Sequence, residues 1–146
     1  MLERFESFVT GITACYRYIQ RIKTQQMTEF GLKGTHVMCL FYLHHRKEAL
    51  TAAELCRLCA EDKAAISRAL SELEDKKYVL VEGIEKKKYR APIRLTEAGR
   101  EVAGHMDALI ESWVSIGGDG LTEDQRKAFY RSLGLIAENL REKIER

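Results

Sequence analysis

Residues 50–95 constrain the fold of this 146-residue chain more than any other stretch. Two short runs with helical spacing, separated by a tight turn, precede two strand-like runs that flank a lysine-rich segment. Thr51 and Glu54 have the spacing of a capping box, which satisfies unpaired amides at a helix start. Asp62 can cap the second helix. The apolar residues that recur at helical spacing and predict its buried face are Ile66, Ala69, Leu70 and Leu73.

The opposite face of the second helix suits close approach to the major groove of DNA. Small side chains permit the approach, Ser67 is a short donor or acceptor, and Arg68 can bind guanine or phosphate through two parallel hydrogen bonds. A lysine near the helix start suits a phosphate contact. The candidate DNA-binding residues on this helix are Lys63, Ala64, Ala65, Ser67, Arg68 and Ser71. An amphipathic helix with a solvated polar face would show the same pattern, so that alternative stays open.

Residues 79–81 and 93–95 are typical of two strands, with apolar side chains alternating on one face of the second run. Pro92 cannot donate to a ladder, which predicts that the returning strand is an edge. The basic residues between the strands are Lys86, Lys87, Lys88 and Arg90. They are either a solvated charge run or a contact to the DNA backbone and minor groove. Helices and strands together predict a winged helix-turn-helix.

The stretch carries an ordered set of residues that extends beyond the helices. The set comprises Glu54-Leu55, Asp62-Lys63, Ile66-Ser67-Arg68, Leu70, Leu73-Glu74, Lys77-Tyr78-Val79, a basic wing and Leu95-Thr96-Glu97-Ala98-Gly99. It resembles the MarR family of bacterial winged-helix transcriptional regulators, and the similarity in length and helix order extends over nearly the whole chain. The resemblance implies that the second helix reads the major groove and that the wing tip contacts the minor groove.

The wing departs from the family pattern in one respect. Family wings commonly carry an Asp-x-Arg pattern that braces and inserts the tip arginine, whereas here Glu85 is followed by lysines and then by Tyr89-Arg90. Three basic residues therefore remain candidates for the one that enters the groove: Lys87, Lys88 and Arg90.

Composition and periodicity predict one mainly α-helical domain with a small β-wing. The chain is 45% hydrophobic with a formal net charge of +2, so a nucleic-acid role rests on local clustering of charge. We predict a single MarR-like domain over 1–146, with the winged helix-turn-helix at about 33–95 and dimerisation helices at about 1–30 and 96–146. The long amphipathic end helices favour a homodimer, whose two recognition helices would match a pseudo-palindromic operator.

Cysteines and histidines raise the question of metal or redox chemistry. Without a secretory signal, four cysteines favour reduced thiols, and core packing explains the Cys56-x-x-Cys59 spacing better than a metal or redox site. We expect Cys15 and Cys39 to pack on apolar helix faces, although some MarR-type proteins sense oxidants through a first-helix cysteine. We predict no metal site, because His44 and His45 are adjacent and should point in different directions. His36 and His105 are expected to be exposed or hydrogen-bonded.

The remaining expectations concern function. No P-loop, Rossmann glycine pattern, nucleophile elbow or HExxH occurs, so we expect no enzyme, no catalytic residue and no cofactor. Without a membrane span or signal peptide, we expect a cytoplasmic protein. The resemblance implies a pocket for a small aromatic effector near Tyr16, Tyr42, Met106 and Trp113. The predicted function is that of a homodimeric repressor that binds double-stranded DNA and is released from it by this effector. The alternatives are a protein-interaction module and a thiol- or metal-responsive regulator.

Overall fold

The computed structural model describes residues 1–83 and 90–146, and the wing lysines Lys86, Lys87 and Lys88 lie outside these described residues. The elements are α1 (Leu2–Met27), α2 (Gly34–His45), α3 (Ala52–Cys59), α4 (Lys63–Asp75), β1 (Val79–Val81), β2 (Ile93–Leu95), α5 (Glu97–Gly117) and α6 (Glu123–Glu145), with a short 3-10 turn, Thr28–Phe30, after α1. The mainly helical winged-helix fold is therefore confirmed.

Contacts divide the chain into two compact units, Met1–Leu109 and Ile110–Arg146, with the boundary inside α5. Within the described residues, no helix has the length and apolar content that a membrane span requires.

The core of Met1–Leu109 is built from the apolar faces of α2, α3 and α4 and from one face of the small sheet. Its fully buried side chains include Leu40, Leu55, Ile66, Leu73, Val79 and Ile93. The face predicted for α4 is the buried one, since Ala69 and Leu70 are also covered. Burial of each large aliphatic side chain contributes about 1.5–3 kcal/mol, which fixes α4 against the other two helices.

Side-chain caps define the turn between α3 and α4. Thr51 Oγ1 accepts from the Glu54 amide at 3.2 Å, and the Thr51 amide donates to Glu54 Oε2 at 2.8 Å, which confirms the capping box. Ala60 ends α3 in the left-handed region with φ of 52°, where glycine is the usual residue. Asp62 Oδ1 then accepts from the Ala65 amide at 2.7 Å and starts α4.

The two strands form an antiparallel pair in the register Val79 with Leu95 and Val81 with Ile93. As predicted, β2 is an edge strand, since the sheet of the described residues consists of β1 and β2. On its other side, the Ile93 amide donates to the Leu50 carbonyl at 2.8 Å, which forms an isolated bridge. Pro92 is compatible with this arrangement because it precedes β2 and acts only as an acceptor, from the Glu82 amide at 3.0 Å.

The junction between β2 and α5 is closely packed. Thr96 Oγ1 accepts from the Gly99 amide at 3.0 Å, as expected of a helix cap, and donates to the Lys77 carbonyl at 2.6 Å. A β-carbon at Gly99 would lie 2.0 Å from the Tyr78 carbonyl oxygen, a separation that no side chain tolerates. The close approach of backbone to backbone therefore explains why glycine occupies this position.

In the second unit, Thr122 and Gln125 have the same spacing as Thr51 and Glu54 and form a second capping box, at the start of α6. Arg126 Nη2 donates to the Gly118 carbonyl at 2.8 Å and ties the first turn of α6 to the loop before it. The large apolar residues of α6 that remain exposed are Phe129, Tyr130, Leu135, Ile136, Leu140 and Ile144. In the first unit, α1 likewise exposes a stripe that includes Phe5, Phe8, Ile12, Tyr16 and Ile19.

Candidate nucleic-acid interface

The outward face of α4 presents small and basic side chains to solvent. Lys63, Ala64, Ser67, Arg68 and Ser71 are exposed, and Ala65 is half-buried. All six candidates from the sequence therefore lie on the side of α4 opposite its buried face. The arrangement leaves room for a close approach of the helix backbone to a partner, with Arg68 in the middle of the face.

The start of α4 suits a negatively charged partner. Its first turn contains no acidic residue and carries Lys63, and the amides at a helix start have a partial positive charge. Asp62 uses one carboxylate oxygen to cap the Ala65 amide. The Asp62 carboxylate offsets the partial positive charge of the helix start, so the group at this end that suits a phosphate contact is Lys63.

A buried histidine links α2 to α4; the expectation that His36 is exposed or hydrogen-bonded is confirmed in its second form, but its partner in α4 was not predicted. His36 is 2% exposed, and its Nε2 lies 2.8 Å from Glu72 Oε2 in α4. Its Nδ1 accepts from the Lys33 amide at 2.9 Å, which satisfies one backbone donor at the start of α2. With Nδ1 an acceptor, Nε2 carries the proton and donates to Glu72. The neutral imidazole therefore fixes the position of α4 relative to its supporting helix.

The charge state of His36 follows from the same geometry. Burial lowers the pKa of His36 below its ordinary value, and the positive charges of Lys33 and Lys76 act in the same direction. The Glu72 carboxylate opposes this shift but does not outweigh burial. The link between α2 and α4 is consequently a hydrogen bond from a neutral ring at neutral pH.

The base of the wing is braced by an ion pair that the sequence analysis did not single out. Arg94 Nε on β2 lies 3.0 Å from Glu82 Oε1 just after β1, and both side chains are exposed. Arg90 is exposed as well. The alternation of side chains on paired strands, which puts Glu82 and Arg94 on the same face, was the available signal.

The four residues predicted to line an effector pocket have different environments. Met106 is fully buried, Tyr42 is half-buried, and Tyr16 is exposed. Trp113 is half-buried and belongs to the second unit. Two surface grooves in the described part of Met1–Leu109 have other linings: one lies beside β1 and the start of α5, the other beside the end of α2 and β2. The effector pocket stays a prediction.

The cysteines divide by burial. Cys39 is buried and Cys56 and Cys59 are half-buried. A hydrogen bond with the neighbouring Cys59 thiol, together with burial, raises the pKa of Cys39. The same hydrogen bond and the positive charge of Lys23 lower the pKa of Cys59. The expectation that Cys15 packs in the core is wrong, because the apolar face of α1 on which it lies is itself exposed in the chain.

The prediction that His44 and His45 point in different directions is also wrong. Both rings reach the same carboxylate on α5, at distances from Nε2 of 3.5 Å for His44 and 2.8 Å for His45 to the oxygens of Asp107. Adjacent helical residues diverge by only about 100°, so a group placed between them can contact both. The third partner was not visible from the sequence, since it is 62 residues away from His45.

Residues 30–86 match a model described as MarR family. No curated protein is similar enough in sequence to match the chain.

The fold recurs in solved structures. A MarR transcriptional regulator from Methanosarcina mazei Go1 is 24% identical, with a TM-score of 0.78 over 91% of this chain and 89% of the other. A putative MarR family regulator from Listeria monocytogenes complexed with 26mer DNA is 18% identical, with a TM-score of 0.83 over 92% and 89%. The S. aureus MepR–DNA complex is 16% identical, with a TM-score of 0.79 over 90% and 97%.

The predicted resemblance is thus supported twice, by the residues that form α2 to β1 and by the course of the backbone. The chain is a winged-helix protein whose resemblance to the MarR family is confirmed, by the family model over residues 30–86 and by the shared fold over about nine-tenths of its length.

Proposed function

We propose that this protein is a sequence-specific DNA-binding transcriptional regulator that acts as a homodimeric repressor in the cytoplasm. The observation that carries the proposal is the outward face of α4, where small side chains surround Arg68. The opposite face of α4 packs into the core, and Glu72 on α4 contacts His36 on α2. A rigid helix with this surface is what direct readout in the major groove requires. Two of the solved structures with this fold are complexes with DNA.

Each part of the interface would have its own role. Arg68 would bind a guanine edge or a phosphate, Ser67 and Ser71 would supply short polar contacts, and Lys63 would bind a phosphate near the helix start. Arg90 and the wing lysines Lys86, Lys87 and Lys88 would contact the backbone or the minor groove beside it. The Glu82–Arg94 pair would stiffen the base from which the wing extends.

The exposed apolar stripes on α1 and α6 support the homodimer. Contiguous exposed apolar surface is rare on monomeric soluble proteins and is typical of association surfaces. A two-fold dimer would bury these stripes and present two recognition helices to one pseudo-palindromic operator. Release by a small aromatic effector would follow if the effector binds better to a dimer whose recognition helices are out of register with DNA.

The test of this function is selection of bound fragments from sheared genomic DNA of the source, followed by titration of the best fragment over a salt series. We expect enrichment of a short inverted repeat, with affinity that falls steeply as salt rises. Weak binding without any enriched sequence would contradict the proposal and favour a protein-interaction role.

Arg68 variants then test the interface itself. Arg68→Ala should weaken operator binding by about 1–3 kcal/mol if Arg68 reads a base edge. Arg68→Lys is the matched control, since it keeps the charge but loses the planar pair of donors. Full operator affinity in both variants would remove Arg68 from the interface, and full affinity in Arg68→Lys alone would make it a phosphate contact.

The wing is tested by replacing Lys86, Lys87 and Lys88 together with alanine. The variant should bind all sequences more weakly, and the slope of log affinity against log salt should flatten by about 0.9 for each phosphate that a lysine no longer neutralises. An unchanged slope would mean that these lysines do not touch the backbone.

A further inference from the structure

Two histidines at the end of α2 and an aspartate in α5 bring three metal-ligating groups together in the first unit. His45 Nε2 lies 2.8 Å from Asp107 Oδ1, and His44 Nε2 lies 3.5 Å from Asp107 Oδ2. One ligand atom from each residue can be chosen so that all three lie within 4.8 Å of one another. Among the described residues, this is the one cluster of three such groups that is tight enough to hold an ion.

The distances are close to those of a zinc site. Zinc binds imidazole nitrogen at about 2.0–2.1 Å and carboxylate oxygen at about 2.0–2.2 Å, so neighbouring ligand atoms of a tetrahedral site lie about 3.4 Å apart. His44 Nε2 lies 3.5 Å from Asp107 Oδ2, which is close to this value, whereas His45 Nε2 lies 2.8 Å from the other oxygen, Oδ1, about 0.6 Å less than this value. The two rings and the carboxylate would have to rotate so that both Nε2 atoms and one carboxylate oxygen face the same ion, within the 4.8 Å that already encloses them.

The surroundings favour a cation that exchanges with solvent. The histidines lie in the last turn of α2, where the unpaired carbonyl groups give the helix end a partial negative charge. The Phe41 ring packs against His45 with centroids 4.7 Å apart and restricts that ring. All three side chains keep part of their surface exposed, between 28% and 45%, so an ion can enter and a water can complete its coordination.

Nearby positive charges repel a cation and lower the affinity of the cluster for it. Arg46, Lys47 and Arg100 line the same groove as His44. The Arg46 guanidinium is directed to the Tyr42 ring, 5.8 Å from its centroid, and Lys47 is exposed. With two neutral imidazoles and one carboxylate, the cluster itself has a charge of −1, which favours a divalent ion over a monovalent one.

We propose that His44, His45 and Asp107 form a binding site for a divalent transition-metal ion, with zinc the best-suited ion and a water in the fourth position. Imidazole ligands select zinc and its transition-metal neighbours over magnesium and calcium, which prefer oxygen. The ion would join the end of α2 to α5 in place of the present contacts of the two rings with Asp107. This site is independent of DNA binding, so the proposal stands or falls apart from the proposed function.

The test uses the purified full-length chain, treated with a chelator and then titrated with Zn²⁺ by calorimetry and with Co²⁺ by visible absorption. We expect one equivalent of metal per chain, a visible spectrum of tetrahedral Co²⁺, and a rise in the thermal unfolding midpoint with metal concentration. Asp107→Asn and His45→Gln should each weaken binding at least tenfold. His44→Gln is a third variant that serves if one of these fails to fold, as judged by circular dichroism.

His105→Gln is the matched control, because His105 is an exposed histidine on the same helix, two residues before Asp107. It should bind metal like the unmodified chain. Equal affinity in all variants, absence of binding, or a Co²⁺ spectrum dominated by thiolate ligation from the cysteines would each overturn the proposal.

Discussion

Large apolar side chains are buried in the helix-turn-helix region but exposed in the end helices α1 and α6. Leu55, Ile66 and Leu73, in α3 and α4, have no exposed side-chain surface. In α1 and α6, by contrast, Phe5 is 66% exposed, Leu135 62% and Leu140 54%. Both regions are amphipathic helices by sequence, so periodicity alone does not distinguish them.

The two regions differ in whether the chain itself covers the apolar faces of their helices. The short helices α3 and α4 pack against α2 and the sheet within one unit, so their apolar faces are satisfied by the fold itself. The stripes on α1 and α6 are wide but remain exposed within the chain. The first region should therefore determine intrinsic stability, and the second should determine association, as the proposed homodimer requires.

The largest expected effect is on association. Leu140→Glu puts a charge into the exposed stripe of α6, and burial of a leucine contributes about 1.5–3 kcal/mol. A two-fold dimer contains the position twice, so the loss is about 3–6 kcal/mol, or at least about a hundredfold in the dimer dissociation constant. Sedimentation equilibrium would measure it.

Asn139→Glu is the matched control for that change, since it adds the same charge at the neighbouring exposed position of α6. A shift of the dimer constant by Asn139→Glu as large as that of Leu140→Glu would assign the effect to net charge. An unchanged constant in Leu140→Glu would mean that the stripe on α6 is not the association surface.

The second effect is on folding. Leu73→Ala leaves a cavity in the core between α4 and its neighbours and should lower the free energy of unfolding by about 2–5 kcal/mol at every protein concentration. Leu140→Ala removes the same atoms from an exposed site, and its effect on unfolding should appear only at concentrations where the dimer forms. Urea denaturation at two protein concentrations separates the two. A concentration-independent loss of similar size in both variants would contradict the comparison.

The sequence was a sufficient guide wherever a local pattern decides the structure. The buried face of α4, the caps at Thr51, Asp62 and Thr122, and the outward position of Arg68 all follow from spacing within a few residues. These elements depend on backbone amides and helical periodicity, which nearby residues determine.

The sequence failed where distant residues meet. Nothing near His36 indicates that Glu72 is its partner, and nothing near His44 indicates Asp107. Pro92 indicates that β2 is an edge strand, but no local pattern indicates the isolated bridge between Leu50 and Ile93, which depends on tertiary packing. Cys15 shows the converse limit, since an apolar helix face does not reveal whether its partner is the same chain or another molecule.

The third prediction concerns acid stability in the helix-turn-helix region. Burial lowers the pKa of His36 below the ordinary value of about 6.5, so the unfolded chain binds the proton more readily than the folded one. The contribution of the neutral ring is fully present above about pH 6.5 and is lost as the pH falls towards the folded-state pKa. The free energy of unfolding should therefore decrease on acidification below about pH 6.5.

Replacement of His36 identifies the source of that slope. His36→Ala leaves Glu72 and the Lys33 amide without their partner and should lower the free energy of unfolding by about 1–3 kcal/mol at neutral pH. It should also reduce the slope between about pH 6.5 and pH 5, as followed by urea denaturation at each pH. His105→Gln, which changes an exposed histidine, is the control and should keep the slope; an identical slope in His36→Ala would locate the acid sensitivity elsewhere.

The smallest expected effect on the free energy of unfolding comes from the capping box, a motif that occurs in both regions. Thr51 and Thr122 are both helix caps in capping boxes, but Thr51 is half-buried beside a charged partner, Glu54, whereas Thr122 is exposed beside a neutral one, Gln125. A carboxylate at a helix start gains from the helix dipole as well as from the hydrogen bond. Thr51→Ala should therefore lower the free energy of unfolding by about 1 kcal/mol or slightly more, and Thr122→Ala by about 0.5 kcal/mol. Urea denaturation below the dimer concentration range measures both; an equal or larger loss for Thr122→Ala would show that the start of α6 contributes as much to intrinsic stability as the helix-turn-helix region does.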